Sequence, residues 1–167
     1  MSAFEHKSGD NVVTGDFSRL EKLVENLGKK YYVDIGVLGE GGSAEGGITL
    51  AGLGAVHEFG TDKAGRNRDT QIPERSFLRM PLETGQEEIE KQIDPHVQKL
   101  IEEGNIKRIF ELIGIAGEAR VQEAFETGGF GTWEDIKEAT KKAKGSDAIL
   151  IDIGALRQGI TSRVGGG

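Results

Sequence analysis

Gly39, Gly41 and Ala44 stand at the spacing of a dinucleotide fingerprint directly after an apolar run, His57 adjoins Glu58, and Arg75 and Arg79 lie four positions apart. Each pattern could do chemistry. The fingerprint works when a helix opens at the loop, so that backbone amides and the helix N-terminus meet a pyrophosphate. Here Glu45, Gly46 and Gly47 prolong the loop, and Glu40 and Glu45 add like charge. No Gly-Lys-Ser/Thr run is present for a P-loop. A small nucleotide-binding enzyme is therefore kept only as the alternative from a different class.

His57-Glu58 would begin a zincin helix if a second histidine followed four residues on, but that position is Thr61. The remaining histidines are His6 and His96, and there is no cysteine. A closed zinc site would need ligands from a tail, a helix end and a mid-helix position. A polar pair at a helix end is the plainer reading. No catalytic residue, cofactor or metal ligand is assigned.

Arg75 and Arg79 on a helix would share one face around Phe77 and Leu78, able to fork onto carboxylates of a neighbouring subunit. An aromatic ringed by arginine has the composition of an interface hot spot. Burial of Phe77 in the subunit's own core would look identical in sequence. Trp133, near Gly128, Gly129 and Gly131, reads either as a core plug or as a docking anchor, with the core favoured because large aromatics are buried on average.

The elements that must position these residues belong to one domain, because 167 residues bury little more than one core. Flexible termini are expected at about residues 1–14 and 165–167. Absence of cysteine excludes disulfides and thiol chemistry. No run approaches the roughly 18 apolar residues of a membrane span, and Met1 to Asp10 lacks an apolar signal core, so a soluble, unexported protein is expected. A net charge of −7 disfavours sequence-specific DNA binding. Glycine at 26 of 167 residues is more than twice its ordinary share of about 7%, which points to flexible loops and close backbone contacts.

Asp16 is a candidate cap for an amphipathic helix with Phe17, Leu20, Leu23, Val24 and Leu27 on one stripe and Gly28 at its end. Tyr31 to Leu38 alternates as a strand. Residues 39–47 and 61–71 read as exposed loops bracketing a helix capped by Thr49 and stopped by Gly60. Helix resumes after Pro73 and breaks at Asp94-Pro95, where proline suits the first position of a new segment. Asn105 opens the longest periodic stretch, ending at Gly128, in which Ala116 and Gly117 suggest close helix contact. Thr132 and Asp135 resemble a capping box for a helix reaching Lys144. Ala148 to Ile153 suits a strand, Leu156 to Gln158 a turn, and Gly159 to Val164 a returning strand.

Two stretches, Ala55-Val56-His57-Glu58-Phe59-Gly60 and Ile72-Pro73-Glu74-Arg75-Ser76-Phe77-Leu78-Arg79-Met80-Pro81-Leu82, resemble the tail-completion or virion-morphogenesis proteins of tailed bacteriophages. These are small head–tail joining and minor tail components. A third stretch runs from Phe130-Gly131-Thr132-Trp133 through Leu150-Ile151-Asp152-Ile153-Gly154-Ala155-Leu156-Arg157 to Ile160-Thr161. Similar proteins carry threonine where Ile153 stands and serine where Gly159 stands, so two hydroxyls usual at that turn are missing.

The resemblance implies an α+β subunit, a small mostly antiparallel sheet packed on one or two long helices, joining copies of itself in a hexameric ring of the virion neck. Its partners would be portal or connector proteins and the tail tube or tail terminator. DNA would pass the acidic lumen without sequence-specific binding, and no reaction or membrane is implied. Interface candidates are His57, Glu58 and Phe59, then Arg75, Phe77, Leu78 and Arg79, then Trp133, Asp152 and Leu156. The two glycine-flanked loops, 39–47 and 61–72, would order against neighbours. A tail terminator or other minor tail component is the near alternative. An acidic DNA mimic would need a carboxylate-rich face without ring formation.

Overall fold

A computed structural model describes residues 3–8, 11–16, 18–38, 48–64, 70–134 and 154–167. The architecture is a small α+β fold. In chain order it comprises β1 (Ala3–Ser8), β2 (Asn11–Asp16), α1 (Ser18–Gly28), β3 (Tyr31–Val37), α2 (Leu50–Phe59), β4 (Thr61–Ala64) and β5 (Thr70–Ile72). There follow α3 (Arg79–Thr84), α4 (Gln86–Glu102), α5 (Ile106–Thr127), a short helix α6 (Gly154–Gln158) and β6 (Ile160–Gly166). The strands pair as three antiparallel ribbons: β1 with β2, β3 with β6, and β4 with β5.

The β3–β6 ribbon lies on α5 because that helix carries two glycines on the facing side. A Cβ added at Gly114 would stand 2.5 Å from Ser162 Oγ, and one at Gly117 would collide with the Ile35 side chain. The small residues of α5 thus admit a strand, and Gly117 also faces Leu82 of α3, the close helix contact that the sequence suggested. Around this contact Leu50, Phe77, Val121, Ala124, Phe125, Trp133, Leu156 and Ile160 form the core. Phe77 and Phe125 meet with ring centroids 5.0 Å apart, and Trp133 stands edge-on to Phe125 at 6.0 Å. Burying one such side chain contributes about 1.5–3 kcal/mol, so each of the three packed aromatics matters on the scale of a domain's net stability.

Several local signals act as the sequence suggests. Thr49 Oγ1 accepts from the Gly52 amide at 3.0 Å and starts α2. Gly128 takes the left-handed conformation, φ 62°, and ends α5. β6 returns against β3 and runs on into Gly165 and Gly166, residues that read as a tail.

Elsewhere the structure differs. Asp16 ends β2, and α1 begins at Ser18. Residues 61–64 and 70–72, read as loop, pair as β4 and β5; their sequences carry no apolar alternation to betray a strand. Pro95 sits inside α4, which continues unbroken from Gln86 to Glu102. Its ring faces solvent, and only one helix hydrogen bond is forfeited. Leu156 to Gln158, read as a turn, are the end of α6. The loop 39–47, the expected strand at 148–153 and the expected helix through Lys144 lie outside the described residues.

Candidate functional site: a clasped corner between two motifs

Glu58 is the last residue but one of α2 and is almost wholly buried, with 5% of its surface exposed. It is held there by donors from the second motif. Its Oε1 accepts from Ser76 Oγ at 2.6 Å and from the Arg79 amide at 3.1 Å, and its Oε2 accepts from the Leu78 amide at 2.9 Å. Ser76 Oγ in turn accepts from the Met80 amide at 3.0 Å. The opening amides of α3, which Leu78 at the cap position cannot satisfy, are thereby satisfied by a carboxylate from another helix. A negative charge at a helix N-terminus is also favoured by the helix dipole.

Backbone geometry tightens the same corner. The Arg75 amide donates to the His57 carbonyl at 2.8 Å. Gly60 adopts φ 68°, ψ 173°, and a Cβ there would lie 2.7 Å from the Glu74 nitrogen. Only glycine lets the turn after α2 pass so near the second motif.

The clasp sorts the sequence-derived candidates into interior and surface. Phe77 is 2% exposed, and Trp133 and Leu156 are buried beside it in the core, so none of the three presents a face to a partner. Arg75 is buried too and donates through Nη2 to the Glu134 carbonyl at 3.3 Å. Because α3 begins only at Arg79, Arg75 and Arg79 share no helical face. Leu78 packs against the core from its edge, and His57 is half-buried. Asp152 lies outside the described residues.

Phe59 and Arg79 are what the corner displays. The Phe59 ring is 63% exposed, the Arg79 guanidinium lies 5.6 Å from its centroid, and Arg79 Nη2 bonds Glu74 Oε1 at 2.7 Å. Ser76, not among the sequence candidates, supplies the side-chain donor to Glu58 beside the backbone amides of Leu78 and Arg79. Its only local signal is serine ahead of a helix.

A second surface feature was also missed. Leu20, Val24 and Leu27, on the apolar stripe of the amphipathic helix α1, are 55%, 62% and 63% exposed. The inner side of α1 is tied instead by Asn26 Nδ2, which donates to the Gly104 carbonyl at 2.7 Å. Among the described residues no group of three histidine or acidic side chains is placed to hold a metal ion, and no helix is long and apolar enough to cross a membrane. Comparisons of the chain with family models, with curated proteins and with solved structures each returned no match.

Proposed function

We propose that this chain is a structural component of a tailed-bacteriophage virion, a tail-completion or neck protein forming a ring between the portal-bearing head and the tail. The carrying observation is the clasped corner. Two motifs that resemble those proteins are fastened through Glu58 into one rigid unit that offers Phe59 and Arg79 to the outside. An exposed aromatic under a guanidinium is the composition of an assembly contact. The apolar stripe on α1 supplies further surface that a working partner would cover.

On this reading the protein acts by shape. Copies of the chain, six by analogy with the resembling proteins, enclose a passage, and the net charge of −7 keeps phosphate backbones from adhering as DNA goes through. Portal or connector proteins and the tail tube or terminator are its neighbours. Light scattering of the purified chain, electron microscopy for rings and mass spectrometry of mature particles test the reading together. Rings and presence in virions are expected. A solitary subunit at every concentration, absent from virions, overturns it.

A further inference from the structure

β1 and β2 pair from Ala3 opposite Asp16 to Ser8 opposite Asn11, and among the described residues no other element packs substantially on either strand. A two-stranded hairpin without a helix or a third strand beside it is only marginally stable in water. A single position separates β2 from α1. The hairpin is thus an arm, joined to the body at one end and lacking the layer that would complete it.

β6 has the reciprocal lack. Among the described residues it pairs with β3 alone, so its outer edge leaves alternate amides and carbonyls without strand partners. Lysine, proline and bulges are the usual guards of such an edge, and β6 has none of them: its register runs unbroken from Ile160 to Gly166. β4 and β5, by contrast, are four and three residues long with a register shift between them. β3 is flanked by α2, and the Leu78 side chain lies close to Gly36. On the far side of β6 the surface of α5 stays open, walled by Arg108, Ile115, Ser162 and Val164 with no β3 residue among its lining. A strand laid there would cover Ile115, which is 53% exposed, and take up the free backbone groups of β6. Length fits as well: at about 3.4 Å per residue the six-residue hairpin strands span about 20 Å and the seven residues of β6 about 24 Å.

We propose that the β1–β2 hairpin of one copy of this chain adds to the outer edge of β6 in a second copy, making a four-stranded sheet across the subunit boundary. This rests on the ring reading above and names its subunit contact. Main-chain hydrogen bonds supply the affinity, as when any extended segment lengthens a sheet. Arm and edge are different surfaces, so the contact is heterologous and propagates around a ring.

The full-length variant V12P/V13P tests the contact. Consecutive strand residues direct their amides to opposite sides, so the two prolines remove one donor toward β1 and one toward the outside. Because the hairpin supports no other described element, the dilute variant is expected to keep the wild-type melting temperature. Its self-association in sedimentation velocity should weaken roughly tenfold or more, the scale of one or two lost backbone hydrogen bonds. Hydrogen exchange read by mass spectrometry should slow in residues 3–16 and 160–166 together when the wild type assembles. Wild-type assembly by V12P/V13P, or protection on assembly that bypasses 160–166, overturns the contact while leaving the ring reading standing. A clear drop in the dilute variant's melting temperature shows the hairpin bracing its own subunit and likewise overturns it. A wild-type chain that stays solitary throughout and is missing from virions overturns both.

Discussion

Glu58 and Ser76 meet at 2.6 Å although 18 positions separate them, and the pair fixes where α3 begins. Removing the carboxylate in Glu58→Ala strands the Ser76 hydroxyl and the Leu78 and Arg79 amides in a poorly hydrated corner. A loss of about 3 kcal/mol is expected in urea unfolding. Glu58→Gln keeps an acceptor and should lose about half as much. Equal midpoints for wild type and Glu58→Ala would show that the clasp contributes nothing.

Phe77 and Phe59 separate folding from assembly. Phe77→Ala opens a cavity against Phe125 and should cost about 3–5 kcal/mol of stability. Phe59→Ala removes an exposed ring and should change stability by less than about 0.5 kcal/mol while impairing oligomer formation. The paired measurement is a denaturant melt beside a sizing run. A Phe59→Ala chain that assembles normally would remove Phe59 from the contact surface.

Two glycines with positive φ predict unequal penalties. At Gly128, φ 62°, a Cβ meets nothing within 4 Å, so Gly128→Ala costs only the left-handed penalty of about 1 kcal/mol. At Gly60 the added carbon presses on backbone atoms of Glu74 and Ile72, in a region of φ and ψ that is nearly glycine-only. Gly60→Ala should cost about 3 kcal/mol, read from the same melts. Similar losses at the two positions would contradict the tight passage.

Pro95 is an internal defect of α4 that leaves the Lys91 carbonyl without its amide donor. Pro95→Ala restores the donor on an exposed helix face and should stabilise the protein by about 1–3 kcal/mol, seen as a higher melting temperature. A lower melting temperature would mean that proline's restriction of the unfolded chain outweighs the hydrogen bond it forfeits.

How far the sequence could be read follows from the range of each cause. Thr49 and Gly128 act on amides and carbonyls a few residues away, so the type of residue reveals the role. The alternation in Tyr31 to Val37 betrays a strand for the same reason. Glu58 acts across a turn, and nothing near it in the chain announces that its partners are Ser76, Leu78 and Arg79. Phe77 and Phe59 are both phenylalanines in motif stretches, yet one is interior, packed on Phe125, and the other displayed, a difference that tertiary packing creates. The α1 stripe misleads in the opposite direction: helical spacing reports that a face is apolar, not whether this chain or another covers it.

The β3–β6 ribbon joins Tyr31 to Gly166 and closes the chain from 38 to 159 between its two strands. A ribosome must therefore extrude the distal strand before the proximal one has a mate, while Phe77 and Val121 wait for Ile160 and Leu156 to complete their enclosure. Closing so long a loop slows the search for the native state. Nascent chains should consequently hold exposed greasy segments late into synthesis, and their yield should depend on chaperones at that stage.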